Sequence, residues 1–240
     1  MRKFLTLIIV FTLPIICYCQ TYNIDSSLNS LQSKKDSTLH ALKWQRDSSY
    51  QASFKADSAR VQKEYDDAIK WEKLKSVAIH PALNAGDNSG VIPVKDLTEI
   101  PDPKLEYKLL FELTAENQDS LAREINWGLA EVARVINLHV AAGIPLKKIH
   151  PVIVLHGGAL HAISTNAYYQ KHYKMDNPNI RVVNDLVKIG ATFIACAQAM
   201  TFIEVKKEDL LPVSKISLSA QTVLSMYQLK GYVKYSYHNP

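Results

Sequence analysis

The strongest constraint on the fold is an alternation that begins near Leu105, where short apolar runs are separated by stretches of helical periodicity. Tyr107–Leu113 reads as a first strand and is followed by the polar stretch Thr114–Asp119. Leu121, Ile125, Leu129, Val132, Ile136 and Val140 then recur on one face of a helix. Asp119 is a candidate N-cap for it, and Gly143 with Pro145 is the stop signal. Pro151–Leu155 reads as a second strand running into His156-Gly157-Gly158, and helices are predicted over 166–173 and 180–189. A third strand, Thr192–Ala195, leads to Cys196 and a short helix. Lys215–Leu218, a helix over 220–229 and Tyr232–Tyr235 complete the pattern. Strands that are apolar on both faces and alternate with helices predict an α/β fold, a mostly parallel sheet of about five strands covered on both sides.

The chain ahead of this domain differs in kind. From Ile24 to about Val77 there is no glycine or proline, and Leu28, Leu31, Leu39, Leu42, Tyr50, Phe54, Val61, Tyr65 and Ile69 are spaced for one face of a long helix. The stripe is thin and interrupted by Lys35 and Arg46, so a core cannot form on it alone. Residues 20–78 are therefore expected to be a helical, coiled-coil-like arm, serving either as an oligomerisation or docking element or as a spacer. Residues 79–104 hold Pro81, Pro93, Pro101 and Pro103 together with Asn84-Ala-Gly-Asp-Asn-Ser-Gly90, a linker composition. The globular domain is expected over 105–240, folding without anything before Pro101.

Arg2 and Lys3 precede an apolar run from Phe4 to Cys17, broken by Pro14, and polar sequence follows from Gln20. Residues 1–19 are expected to be a secretory signal peptide, cleaved before Gln20. The alternative is lipidation at Cys17, in Leu13-Pro-Ile-Ile-Cys17, where Ile16 is bulkier than the usual residue. Either route places the mature protein in the periplasm or outside the cell, with membrane attachment only if Cys17 is lipidated. Loss of Cys17 and Cys19 leaves Cys196 as the sole cysteine, so no intramolecular disulfide can form. The formal net charge of +5, part of it in Arg2 and Lys3, is too mild to point to nucleic acid.

Cys196 sits where a buried strand gives way to a helix. A helix N-terminus there favours a thiolate; the competing reading is a small buried hydrophobe. Four stretches carry a resemblance: Leu109-Leu-Phe-Glu-Leu113, Val152-Ile-Val-Leu-His-Gly-Gly158, Leu186-Val-Lys-Ile-Gly-Ala-Thr-Phe-Ile-Ala-Cys196 and Leu224-Ser-Met-Tyr-Gln-Leu-Lys-Gly-Tyr232. In this order and spacing the segment 105–235 resembles the DsrE/DsrF-like family of sulfur-oxidation and sulfur-relay systems. The resemblance implies a three-layer α/β/α fold, assembly into trimers or hexamers, and a persulfide-carrying cysteine after a central strand, the position matched by Cys196. It also implies a sulfur donor or acceptor protein as partner and no cofactor. The chain departs from the family in its expected export and in its arm.

In a parallel sheet, ligands gather beyond the carboxyl ends of the strands. Three features are expected there: Thr114–Asn117, His156-Gly157-Gly158 and Cys196. In the functional reading Cys196 accepts sulfur, His156 stabilises the thiolate or exchanges a proton with it, and the amides of Gly157 and Gly158 line an anion pocket. Glu116 and Asn117 are the remaining candidate ligand-binding residues. In the competing reading the glycines make a tight turn and His156 caps a strand end. His156 and His161 are five residues apart, which does not align two metal ligands on one helical face, so no metal is expected. Tyr168, Tyr169 and Tyr173 are read as packing or subunit contacts. Two functions follow from this sequence: a sulfur carrier cycling Cys196 between thiol and persulfide, or an oligomeric ligand-binding or assembly module with an inert cysteine.

Overall fold

The computed structural model describes residues 24–44, 51–115 and 121–239. The chain separates into two units that divide between Ser76 and Val77. The first holds two helices, α1 (Ile24–Trp44) and α2 (Gln51–Val77), in place of the single long helix expected. Leu31 and Thr38 share a groove with Val61, Tyr65 and Ala68, and the Tyr65 hydroxyl donates to Gln32. Neither thin stripe is wide enough to be buried alone, so the two helices pack their stripes against each other.

The second unit is built on a five-stranded parallel sheet: β1 (Tyr107–Ala115), β2 (Ile149–Leu155), β3 (Thr192–Cys196), β4 (Ser214–Ser217) and β5 (Val233–Asn239). The strand order is β4-β3-β2-β1-β5, and every pairing is parallel. Successive crossovers carry the chain from β1 to β4 through α3 (Trp127–Ala141), α4 (Asn166–Tyr173), α5 (Ile180–Lys188) and α6 (Ala197–Phe202). These cover one face over a core that includes Leu109, Phe111, Leu113, Ile153, Leu155 and Phe193. The return from β4 to β5 runs in the opposite direction, so α7 (Ala220–Leu229) lies on the other face, against Leu110, Val152, Val154 and Ile194. The result is a three-layer α/β/α arrangement in which α7 is the one helix on the second face among the described residues of this unit.

Several boundaries moved. Helix α3 starts at Trp127 and not near Leu121, because Asn126 accepts a hydrogen bond from the Leu129 amide (3.2 Å) and is itself fixed by Asn179 (2.7 Å). Asp119, the expected cap, lies outside the described residues. Strand β5 runs past Tyr235 to Asn239, since pairing with β1 continues to Ala115.

The segment expected to begin a linker is instead part of the domain up to about Val91. Ile79 and Val91 pair backbone to backbone, and Leu83, Ala85 and Ser89 are buried. Asn137 of α3, fully buried, explains the difference. Its Oδ1 accepts from the Ala82 and Leu83 amides (3.0 and 2.9 Å), and its Nδ2 donates to the carbonyls of Leu83 and Ser89 (2.7 and 2.9 Å). A buried carboxamide must have partners, and here residues 82–89 supply them. Asn137→Ala strands these backbone groups and is expected to cost about 2–4 kcal/mol in urea unfolding. A chain starting at Pro101 is expected to melt well below one starting at Val77; equal melting temperatures would show that this strap is dispensable.

Candidate functional site

Parallel register puts equivalent residues of neighbouring strands on the same face, so the carboxyl end of the sheet can be read row by row. On the face covered by α7, Leu110 pairs with Val152 and Lys234; one step further along, Glu112 pairs with Val154 and Ser236. In the last row Thr114 pairs with His238, and Cys196 pairs with Ser217. His156 is one residue beyond the Leu155–Ala195 pair, still extended, with its amide donating to the Leu113 carbonyl (3.1 Å). It therefore occupies the step between Thr114 and Cys196.

Cys196 ends β3 and is the N-cap residue of α6, but its thiol makes no capping hydrogen bond. It is 5% exposed and belongs to the apolar cluster of Leu110, Val154, Ile194 and Leu224. Helix α6 has only six residues, and the Gln198 amide in its first turn is taken by the Leu218 carbonyl (3.3 Å). The end charge available to the thiol is accordingly smaller than that of a full-length helix.

The polar centre of this face is Glu112. His156 Nε2 lies 3.1 Å from Glu112 Oε1, while Oε2 accepts from the Ser236 hydroxyl (2.9 Å) and from Lys234 Nζ (2.7 Å). Burial pushes the Glu112 carboxyl up, but the bonds from Lys234 and Ser236, with the Lys234 charge and the His156 bond, outweigh it and hold the group below the usual glutamate range. Glu112 is thus ionised and acts only as an acceptor, so His156 Nε2 carries the donated proton. Glu112, Lys234 and Ser236 were missed in the sequence, although one signal was present. Glu112 is the only charged residue in the run Leu109–Leu113, and a carboxylate in a doubly covered strand needs partners.

Gly157 adopts φ +55°, and a Cβ there would stand 3.3 Å from both the Ala115 carbonyl and Thr114 Oγ1. Glycine is required for this approach to the end of β1. Gly158 follows in a 3-10 segment, Gly157–Ile163. Glu116 and Asn117 lie outside the described residues. His156 and His161 are engaged apart from each other, as is His150: His156 bonds Glu112, His161 packs among tyrosines, and His150 bonds Glu106 (2.6 Å). Among the described residues no group of three or more His, Cys, Asp or Glu is placed to hold a metal ion. Tyr168 and Tyr169 are buried, with the Tyr169 and Tyr173 rings 5.0 Å apart.

The model of the DsrE/DsrF-like family matches residues 108–234, from the second residue of β1 into β5. The chain belongs to the DsrE/DsrF-like family. Its domain is similar to MTH1491 from Methanobacterium thermoautotrophicum, a protein of unknown function, with 18% identity over 55% of this chain and 99% of that one (TM-score 0.40). It is also similar to the ychN protein of E. coli, with 13% identity over 54% of this chain and 98% of that one (TM-score 0.38). No curated protein matches the chain. The family match includes Glu112, His156, Cys196 and Lys234, whereas Ser236, the rest of β5 and the arm lie outside it.

Burial, and secondarily the nearby His172, pull the His161 imidazole from 6.5 down to about 4. The unfolded chain therefore takes up this proton first, and stability is lost as pH falls from about 6.5 towards 4. His161→Phe is expected to flatten the pH dependence of the urea midpoint in that window. An unchanged slope would locate the acid sensitivity elsewhere.

Proposed function

We propose that this DsrE/DsrF-like protein is a sulfur carrier in which Cys196 cycles between thiol and persulfide. The observation that supports it best is the placement of the only cysteine of the domain at the carboxyl end of β3, one strand from an imidazole backed by a carboxylate. In the loading step the Cys196 thiol gives its proton to His156, and the thiolate attacks the outer sulfur of a donor persulfide. The donor's S–S bond breaks as the Cys196 S–S bond forms, and the donor leaves as a thiolate that recovers a proton. No outside oxidant is needed, because sulfane sulfur only changes hands. Gly157 leaves the approach to Thr114 and Ala115 free of a side chain, and its amide and that of Gly158 are the proposed anion contacts. Glu116 and Asn117, which follow Ala115 in the sequence, remain proposed ligand contacts.

The mature protein is further proposed to be exported, with a donor or acceptor protein as its partner and without nucleic acid. A self-assembled state, trimer or hexamer, belongs to the same reading. β4 has β3 as its only strand partner among the described residues, Leu218, the residue after β4, is 70% exposed, and Phe202 at the end of α6 is 90% exposed. Leu218→Lys is expected to convert the assembly into monomers by light scattering; a monomeric unsubstituted protein would refute assembly.

A second reading is favoured by the burial of Cys196 among apolar side chains: a ligand-binding or assembly module with an inert thiol. Intact-mass analysis separates the two. Incubation of the native protein with a persulfide donor is expected to add the mass of one sulfur, lost in Cys196→Ser without loss of fold. A thiol that is neither loaded nor alkylated until the protein is denatured would reject the carrier.

A further inference from the structure

Glu112 and Lys234 take no chemical step in sulfur transfer as described above, yet Glu112 bonds the imidazole of His156 and Lys234 bonds Glu112. The Glu112 carboxylate divides its oxygens, one towards His156 on β2 and the other to Lys234 and Ser236 on β5. Its side chain is only 19% exposed, so these donors are its main solvation. We infer that Glu112 is a positioning residue that fixes the His156 imidazole with Nε2–H bound and Nδ1 as the accepting atom, and that Lys234 sets how much of the carboxylate's charge reaches the ring. The inference rests on the proposed role of His156 at Cys196 and assigns the residues that tune it. Pairing of an imidazole with a carboxylate orients the ring, selects the tautomer and stabilises the imidazolium once a proton is taken up. Lys234 opposes the last effect, because its cation shares the same carboxylate.

Titratable groups stand on the elements of this face. These are Glu112 on β1, Lys234 and His238 on β5, Cys196 on β3 and Lys215 on β4, with Tyr227 the one titratable residue of α7. Glu112 bonds His156 directly at 3.1 Å, and Lys234 bonds Glu112 at 2.7 Å.

The test is the NMR titration of His156 in the full chain carrying Cys196→Ser, which keeps the readout independent of sulfur loading. Glu112→Gln is expected to lower the His156 midpoint by about one unit, and Lys234→Met to raise it. Opposite shifts are not produced by a general loosening of the sheet. If Glu112→Gln does not fold, the upward shift in Lys234→Met still carries the test. In the chain retaining Cys196, Glu112→Gln is expected to slow thiol alkylation about tenfold. His156→Gln is expected to slow it equally, and the double variant no further. Unchanged midpoints, or a rate lowered in His156→Gln but not in Glu112→Gln, would overturn the inference. Failure of the unsubstituted chain to accept sulfur, with both midpoint shifts present, rejects the carrier reading and leaves the positioning role standing.

Discussion

The domain depends on the pairing of its first strand with its last. β1 lies between β2 and β5, and Leu110 and Phe111, facing opposite sides, are both fully buried. Parallel strands cannot be joined by a tight turn, so each pairing needs a crossover element. Three crossovers in one direction cover one face, and the reversal that brings β5 beside β1 sends α7 to the other. This topology gathers residues from the start and the end of the domain onto one carboxylate. Glu112 and Ser236 are 124 positions apart in the chain and 2.9 Å apart in space.

The asymmetry of the two faces has a chemical consequence. Within this unit, four helices bury the first face in a large apolar core, whereas α7 is the one described helix on the second, with Glu112, Lys234, Ser236 and His156 at its border. Cys196 belongs to the apolar part of that second face, a step away from this polar border. In the proposed carrier, shielding and protonation of the thiol fall to different side chains. Burial opposes the thiolate there, and the proposed passage of its proton to His156 beside Glu112 offsets that cost.

Buried asparagines hold the irregular parts in place. Asn137 ties residues 82–89 to α3, and Asn179 bonds both the Asn126 amide and Asn177, whose own carboxamide reaches the Ala162 and Ser164 carbonyls. Each replaces ladder bonds that irregular backbone cannot make for itself. The fold of residues 82–91 is therefore set from within α3, by a residue that periodicity alone marks only as polar on a helix.

Local pattern by itself determined the α/β class, the number of strands, the position of Cys196 at the end of β3 and the resemblance to the DsrE/DsrF-like family, because periodicity and turn residues act over a few neighbours. The two-helix form of the arm, the start of α3 at Trp127 after its cap Asn126 and the incorporation of residues 79–91 were decided by tertiary contacts. Thin apolar stripes must find each other, and buried amides must find acceptors. The centre of the candidate site was decided in the same way. Lys234 and Ser236 read as an ordinary polar strand in the sequence, and only the placement of β5 beside β1 makes them the partners of Glu112. A buried carboxylate announces that it needs donors, but strand order decides which ones it receives.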